Sequence, residues 1–112
     1  MMSESEMIAR SWTSRIRTSD EQQYGDYVRN TGIRDFARTP GNLGAQVLMR
    51  TLGDGTSEVT VLSWWDSIES IGAFAGADPQ IARYYPEDDH FLLEKPIAVE
   101  HHRVVVNLSG EH

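Results

Sequence analysis

The sequence predicts an α+β fold in which one antiparallel sheet carries helices on a single face. Three observations point to it. Four stretches alternate or run apolar with strand character, helical spacing fills the gaps after the first and third, and a glycine-rich turn joins the middle two.

The elements follow in order. Met7 to Arg17 places Ile8, Arg10, Trp12, Ser14 and Ile16 on one side, as a strand does. Ser19 is a candidate cap for the next element, with Gln22 at the capping-box position and Asp20 and Glu21 at the positive end of the helix dipole. Tyr24, Tyr27, Val28, Ile33, Phe36 and Ala37 then recur at helical spacing, with a break or kink expected at Gly32. Thr39-Pro40-Gly41-Asn42 ends that helix. Leu43 to Leu52 and Glu58 to Trp65 read as strands joined by the hairpin signal Gly53-Asp54-Gly55-Thr56. Asp66 and Ser67 start a helix whose apolar face is Ile68, Ile71, Phe74 and Ala75, with Asp66 as its cap and Gly76 as its end. Asp78-Pro79 predicts a further short helix to Tyr84 or Tyr85, stopped by Pro86. Ile97 to Val106 is the last strand. The order is β-α-β-β-α-β, the ferredoxin-like pattern.

The third strand carries apolar residues on both faces. Val59, Val61 and Trp65 oppose Leu62 and Trp64, so a second sheet is expected over the uncovered face, most simply from a homodimer.

Bulk properties bound the function. The 112 residues suit one domain, with a core of about 7–106 and frayed ends at 1–6 and 108–112. A net charge of −7 argues against nucleic acid or an anionic membrane as partner. No apolar run is long enough to span a bilayer, and the acidic start is unlike a signal peptide. A cytoplasmic protein is the expectation. With no cysteine, thiolate nucleophiles, disulfides and zinc-thiolate sites are excluded.

Several segments together resemble the antibiotic biosynthesis monooxygenase domain of the dimeric α+β-barrel superfamily, over roughly Ile8 to Val105. They are Tyr27-Val28-Arg29-Asn30-Thr31-Gly32-Ile33, Thr39-Pro40-Gly41-Asn42, Ser63-Trp64-Trp65-Asp66-Ser67, Phe74-Ala75-Gly76, Ala82-Arg83-Tyr84-Tyr85-Pro86-Glu87-Asp88 and Val99-Glu100-His101-His102. The resemblance implies two subunits forming a barrel, and one of two chemistries. Some relatives oxidise aromatic polyketides such as anthrones with O₂ and no metal or flavin; others bind and degrade haem. The haem-degrading pattern of a strand Asn, a helix Trp and a His ten residues later falls, without gaps, on Ser11, Phe74 and Tyr84. All three differ from it. Tyrosinate can ligate ferric haem, so haem held by Tyr84 stays as an alternative, but the missing imidazole makes it the weaker branch.

The leading expectation is therefore a cofactor-independent monooxygenase acting on a small phenolic or polyketide-like aromatic. Trp65, Phe74, Tyr85 and Ser11 are the candidate substrate contacts, and Tyr84 and His101 the candidate catalytic groups. Trp64 and Trp65 must face opposite ways: one under the helices, as core or pocket wall, the other in the dimer barrel. His101 is chosen because imidazole titrates near neutrality and can take a phenolic proton. Glu87-Asp88-Asp89-His90 reads as a solvated acidic turn, not a metal site. Arg10 and Arg103 fall among apolar alternation, and edge salt bridges are expected for them; buried, they would need a partner carboxylate across a dimer or an acidic ligand. A non-catalytic dimeric module binding a small hydrophobic molecule is the alternative of a different class.

Overall fold

The computed structural model describes residues 7–108, so the expectations for 1–6 and for the final four residues lie outside it. Four strands, β1 (Ile8–Arg17), β2 (Asn42–Thr51), β3 (Thr56–Trp65) and β4 (Glu100–Arg103), form one antiparallel sheet in the order β2-β3-β1-β4. Helices α1 (Glu21–Val28), α2 (Arg34–Arg38) and α3 (Ile68–Ala75) complete the expected β-α-β-β-α-β order.

Alternation decides which face is covered. On β3 every odd position from Ser57 to Trp65 is buried and every even one is partly exposed. Register then sorts the neighbours: Arg10, Trp12, Ser14 and Ile16 of β1 stand beside the buried β3 positions. They share the core side with Tyr24, Val28, Phe36, Val59, Trp65, Ile71 and Phe74. Trp65 is fully buried there, and Trp64 lies on the opposite, open face.

Local chemistry sets the helices. Gly32 sits in a π-helical turn, Arg29–Ile33, between α1 and α2, which realises the expected kink. Ser19 does not cap α1: Asp20 occupies the cap position without a side-chain bond. The start is fastened by tertiary contacts instead, because Glu21 accepts bonds from Thr51 Oγ1 (2.9 Å) and Ser57 Oγ (2.5 Å) of the β2–β3 hairpin. These bonds hold the Glu21 carboxyl below its usual range. For α3 the cap is Ser67, whose Oγ accepts from Ser70 N, while Asp66 braces both hydroxyls. Gly76 ends α3 at φ +101°.

Two expectations are corrected. The segment 78–85 is not a helix. Asp78 Oδ1 takes Gln80 N in a local turn, and Ile81 then bridges Ala98. Ala82 N donates to Ile97 O, and Val99 N donates to Gln80 O. Pro79 and Pro86 leave too few residues to nucleate a helix, and Pro86 holds Tyr85 extended (φ −112°, ψ 155°). The strand expected over 97–106 pairs with β1 only at Glu100–Arg103, while Ile97–Val99 bond to Gln80–Ala82 instead. Its partner β1 begins at Ile8, opposite Arg103, so Val105 and Val106 have nothing to pair with and are exposed.

Candidate functional site

A cavity lies between the helix-covered face of the sheet and the chain that runs from α3 to β4. It is a half-open cleft, and about 490 Å³ of non-atom space, open solvent at its mouth included, lies within its outline. Arg10 and Trp12 of β1, Val61 of β3, Tyr24 and Val28 of α1, and Phe36 and Phe74 line it, together with the strap Ala82–Tyr85, Asp88 and Val99. Apolar walls with a few polar groups are the usual composition of a small-molecule site.

The strap is held at both ends. Arg83 packs its guanidinium over the Phe74 and Tyr85 rings, 4.8 and 4.9 Å from their centroids. It also donates to Phe74 O (3.1 Å) and pairs with Asp35 Oδ2 (3.3 Å). Tyr85 Oη donates to the same Asp35 oxygen at 2.6 Å. That bond and Arg83 keep the Asp35 carboxyl below its usual range. On the other side Asp88 accepts from Tyr27 Oη (2.8 Å) and from Tyr85 N (2.6 Å). Asp88 is 6% exposed, so the acidic turn read as solvated has its middle carboxylate buried, while Glu87 and Asp89 remain in solvent.

The six candidate residues separate. Phe74, Tyr84 and Tyr85 line the cavity. Trp65 lies behind it in the core, donating Nε1–H to Ser63 Oγ (2.8 Å) and meeting Phe36 edge-on at 5.7 Å. Ser11 is paired with Leu62 on the other face of the sheet, so it points away from the cavity; the strand positions facing it are Arg10 and Trp12. His101 is the cross-strand partner of Arg10 but does not line the cavity. Its Nε2 is buried without a hydrogen bond. Burial and the nearby Arg10 charge push the imidazole below its ordinary value, so it is neutral at pH 7.

Tyr84 is committed to the protein. Its hydroxyl accepts from Trp12 Nε1 at 3.0 Å and donates to the carbonyl of Pro96. Burial raises the phenols of Tyr84 and Tyr85, and also that of Tyr24, so all three act as protonated groups at neutral pH. Trp12, Tyr24 and Asp88 join the site without having been expected there from the sequence. Trp12 was discoverable from its place on the Arg10 side of β1, and Tyr24 from the apolar stripe of α1. Asp88 carried no such signal, because its burial depends on Tyr27 and Tyr85.

Among the described residues no three His, Asp or Glu side chains form a metal-ligand group. No helix there is long and apolar enough to cross a membrane.

The sheet order and the helices on one face define an α+β protein of ferredoxin-like fold, with the cavity beneath its helices. Neither a protein-family model nor a curated protein matches the sequence significantly. Solved structures do match the fold. A proposed antibiotic biosynthesis monooxygenase from Bacillus cereus superposes with a TM-score of 0.65 at 15% identity, over 94% of this chain and 99% of its own. One from Caulobacter crescentus gives 0.63 at 16%, over 91% and 92%. A haem-degrading protein from Mycobacterium tuberculosis, in haem-free form, gives 0.63 at 14%, over 92% and 99%.

Proposed function

We propose that this protein is an oxygenase of the cofactor-independent type, which holds a flat aromatic phenol in the cavity for reaction with O₂. The observation that carries the reading is the open cavity walled by Trp12, Phe74 and Tyr85 beneath a cross-braced strap. A substrate of the anthrone class supplies the electrons itself. Its activated CH₂ becomes C=O, one oxygen atom entering the product and the other leaving as water. The protein then has to exclude water, orient the ring and favour the substrate anion. In this reading Phe74 and Tyr85 hold the ring and Tyr84 keeps Trp12 in place. The shared fold of the Bacillus cereus protein supports the oxygenase class.

The fold of the Mycobacterium tuberculosis protein would support haem. The donor set here fits it poorly. Tyr84, at the ligand position, already spends its hydroxyl on Trp12 and Pro96, and His101 stands outside the cavity lining.

Incubating the protein with an anthrone-like phenol, with and without O₂, is expected to give oxygen-dependent product. Phe74→Ala should lower the rate at least about tenfold by loosening the ring's orientation. Saturable quenching of tryptophan fluorescence without any product would instead assign a binding module. A hemin titration run in parallel is expected to show no new Soret band.

A homodimer is part of the proposal. Leu48 is 46% exposed on the open face, which Leu62 and Trp64 share, and a second sheet would cover them. Sedimentation velocity at micromolar concentration should show one species of twice the chain mass, and a stable monomer would refute the barrel.

A further inference from the structure

Arg10 is the charge that the rest of the structure does not explain. It is 5% exposed, yet among the described residues no Asp or Glu lies within ion-pair distance of it. Burial alone lowers its guanidinium to about 10 from an ordinary 12.5, with no carboxylate close enough to raise it again. Its Nε is buried with no hydrogen bond, and Nη2 reaches only the carbonyl of Ile81 at 3.4 Å. The edge salt bridge expected for Arg10 from the sequence is absent. A carboxylate across a dimer is also the wrong answer, because Arg10 faces the helices and the cavity, away from the open face of the sheet.

The cation rests only on the face of the Phe74 ring and one long carbonyl contact, with no anion to balance it, and burying a charge so weakly compensated is costly. The unpaired Nε–H, which is enclosed by protein, and the weakly held Nη2–H form the side-on edge of the guanidinium; a small turn of the side chain would present that edge to the two oxygens of a carboxylate. A second donor shares the cavity. Tyr24 is 2% exposed, stays protonated, and its hydroxyl has no hydrogen-bond partner among the described residues. Asp88, the carboxylate in the lining, is already satisfied by Tyr27 and Tyr85.

We infer that Arg10 and Tyr24 are the recognition site for a carboxylate carried by the ligand, so that the cavity selects flat aromatic acids over neutral aromatics. This rests on the proposal that the cavity binds an aromatic molecule, and it adds the functional group that is read. The ring lies against Phe74, Trp12 and Tyr85, and the carboxylate is drawn down to the sheet. Arg10 is itself 5.5 Å from the centroid of the Phe74 ring, so ring and carboxylate sites adjoin.

The test uses two probes of matched shape, 2-naphthoate and 2-naphthalenemethanol, titrated at pH 7 against the intact protein by tryptophan quenching. Wild type should bind the carboxylate at least about tenfold more tightly, the worth of charge-assisted hydrogen bonds in a buried site. Arg10→Gln should erase that preference while still binding the neutral alcohol, and Tyr24→Phe should reduce it. Equal binding of both probes by wild type, or a preference that survives Arg10→Gln, overturns this inference and leaves the aromatic cavity standing. Binding of neither probe overturns both. Thermal unfolding gives a readout that does not need the variant to bind. Without ligand, Arg10→Met should melt no lower than wild type, since it removes an uncompensated charge. A clear fall in its midpoint would mean that Arg10 is a structural brace, and the inference would be wrong.

Discussion

Trp65→Ala is expected to destabilise the protein by about 3–5 kcal/mol, the range for truncating a buried tryptophan. Trp65 has no exposure and is the largest side chain fully inside. Its ring meets Phe36 at 5.7 Å and Phe74 at 6.3 Å, so it joins the helix after the kink to α3 across the sheet. Its removal leaves a cavity that rigid β3 neighbours cannot collapse into. It also leaves Ser63 Oγ, 1% exposed, without the Nε1–H that it accepts. Against a typical total of about 5–15 kcal/mol, the loss puts the fold near its threshold. Urea unfolding followed by circular dichroism measures it. Trp64→Ala, on the open face, is the control for loss of a tryptophan as such, and its effect should fall on association instead of folding. Equal losses at both positions would contradict the assignment of faces.

Gly41→Ala is the second large effect, expected to cost about 2–5 kcal/mol from backbone strain and overpacking together. Gly41 has φ +94°, where a Cβ is disfavoured. That Cβ would also stand 2.2 Å from Ser70 Oγ and 2.7 Å from Asp66 Oδ1. These are the atoms that start α3, and Gly41 O further accepts from Asp66 N at 2.9 Å. The methyl therefore pushes on the cap of the helix that carries Phe74 to the cavity. Gly53→Ala isolates the backbone part, because its φ is +88° with nothing within 4 Å of the added atom. Its cost should be about 1–2 kcal/mol. If the two variants unfold at the same denaturant concentration, the contact with Ser70 and Asp66 carries no weight.

Fold and site were legible to different degrees, for a physical reason that shows in particular residues. Strand β3 alternates so cleanly that its residue order alone assigns the two tryptophans to opposite faces. Gly32 signalled the kink, and Gly53-Asp54-Gly55 signalled the hairpin. Those are local properties, set by backbone sterics and a period of two. Asp78-Pro79 carried an equally good local signal for a helix, and it failed. Pairing of Gln80, Ile81 and Ala82 with Ile97, Ala98 and Val99 supplied the backbone bonds that a helix would have made. Ser11 failed for a related reason. Its place came from counting along the chain, and a one-residue offset on a strand reverses the face.

The sequence by itself determined the order of elements, the apolar sides of the strands and the aromatic content of the segment before β4, since each depends on near neighbours. It also marked Arg10 as a charge in an apolar alternation. Only the tertiary structure decided which polar groups are spent and which are free. Tyr84 is saturated by Trp12 and Pro96, Tyr85 by Asp35, and Asp88 by Tyr27 and Tyr85, whereas Arg10 and Tyr24 keep donors unpaired in the cavity. Hydrogen-bond saturation belongs to pairs of residues as far apart in the chain as Trp12 and Tyr84, 72 positions, so no local pattern encodes it.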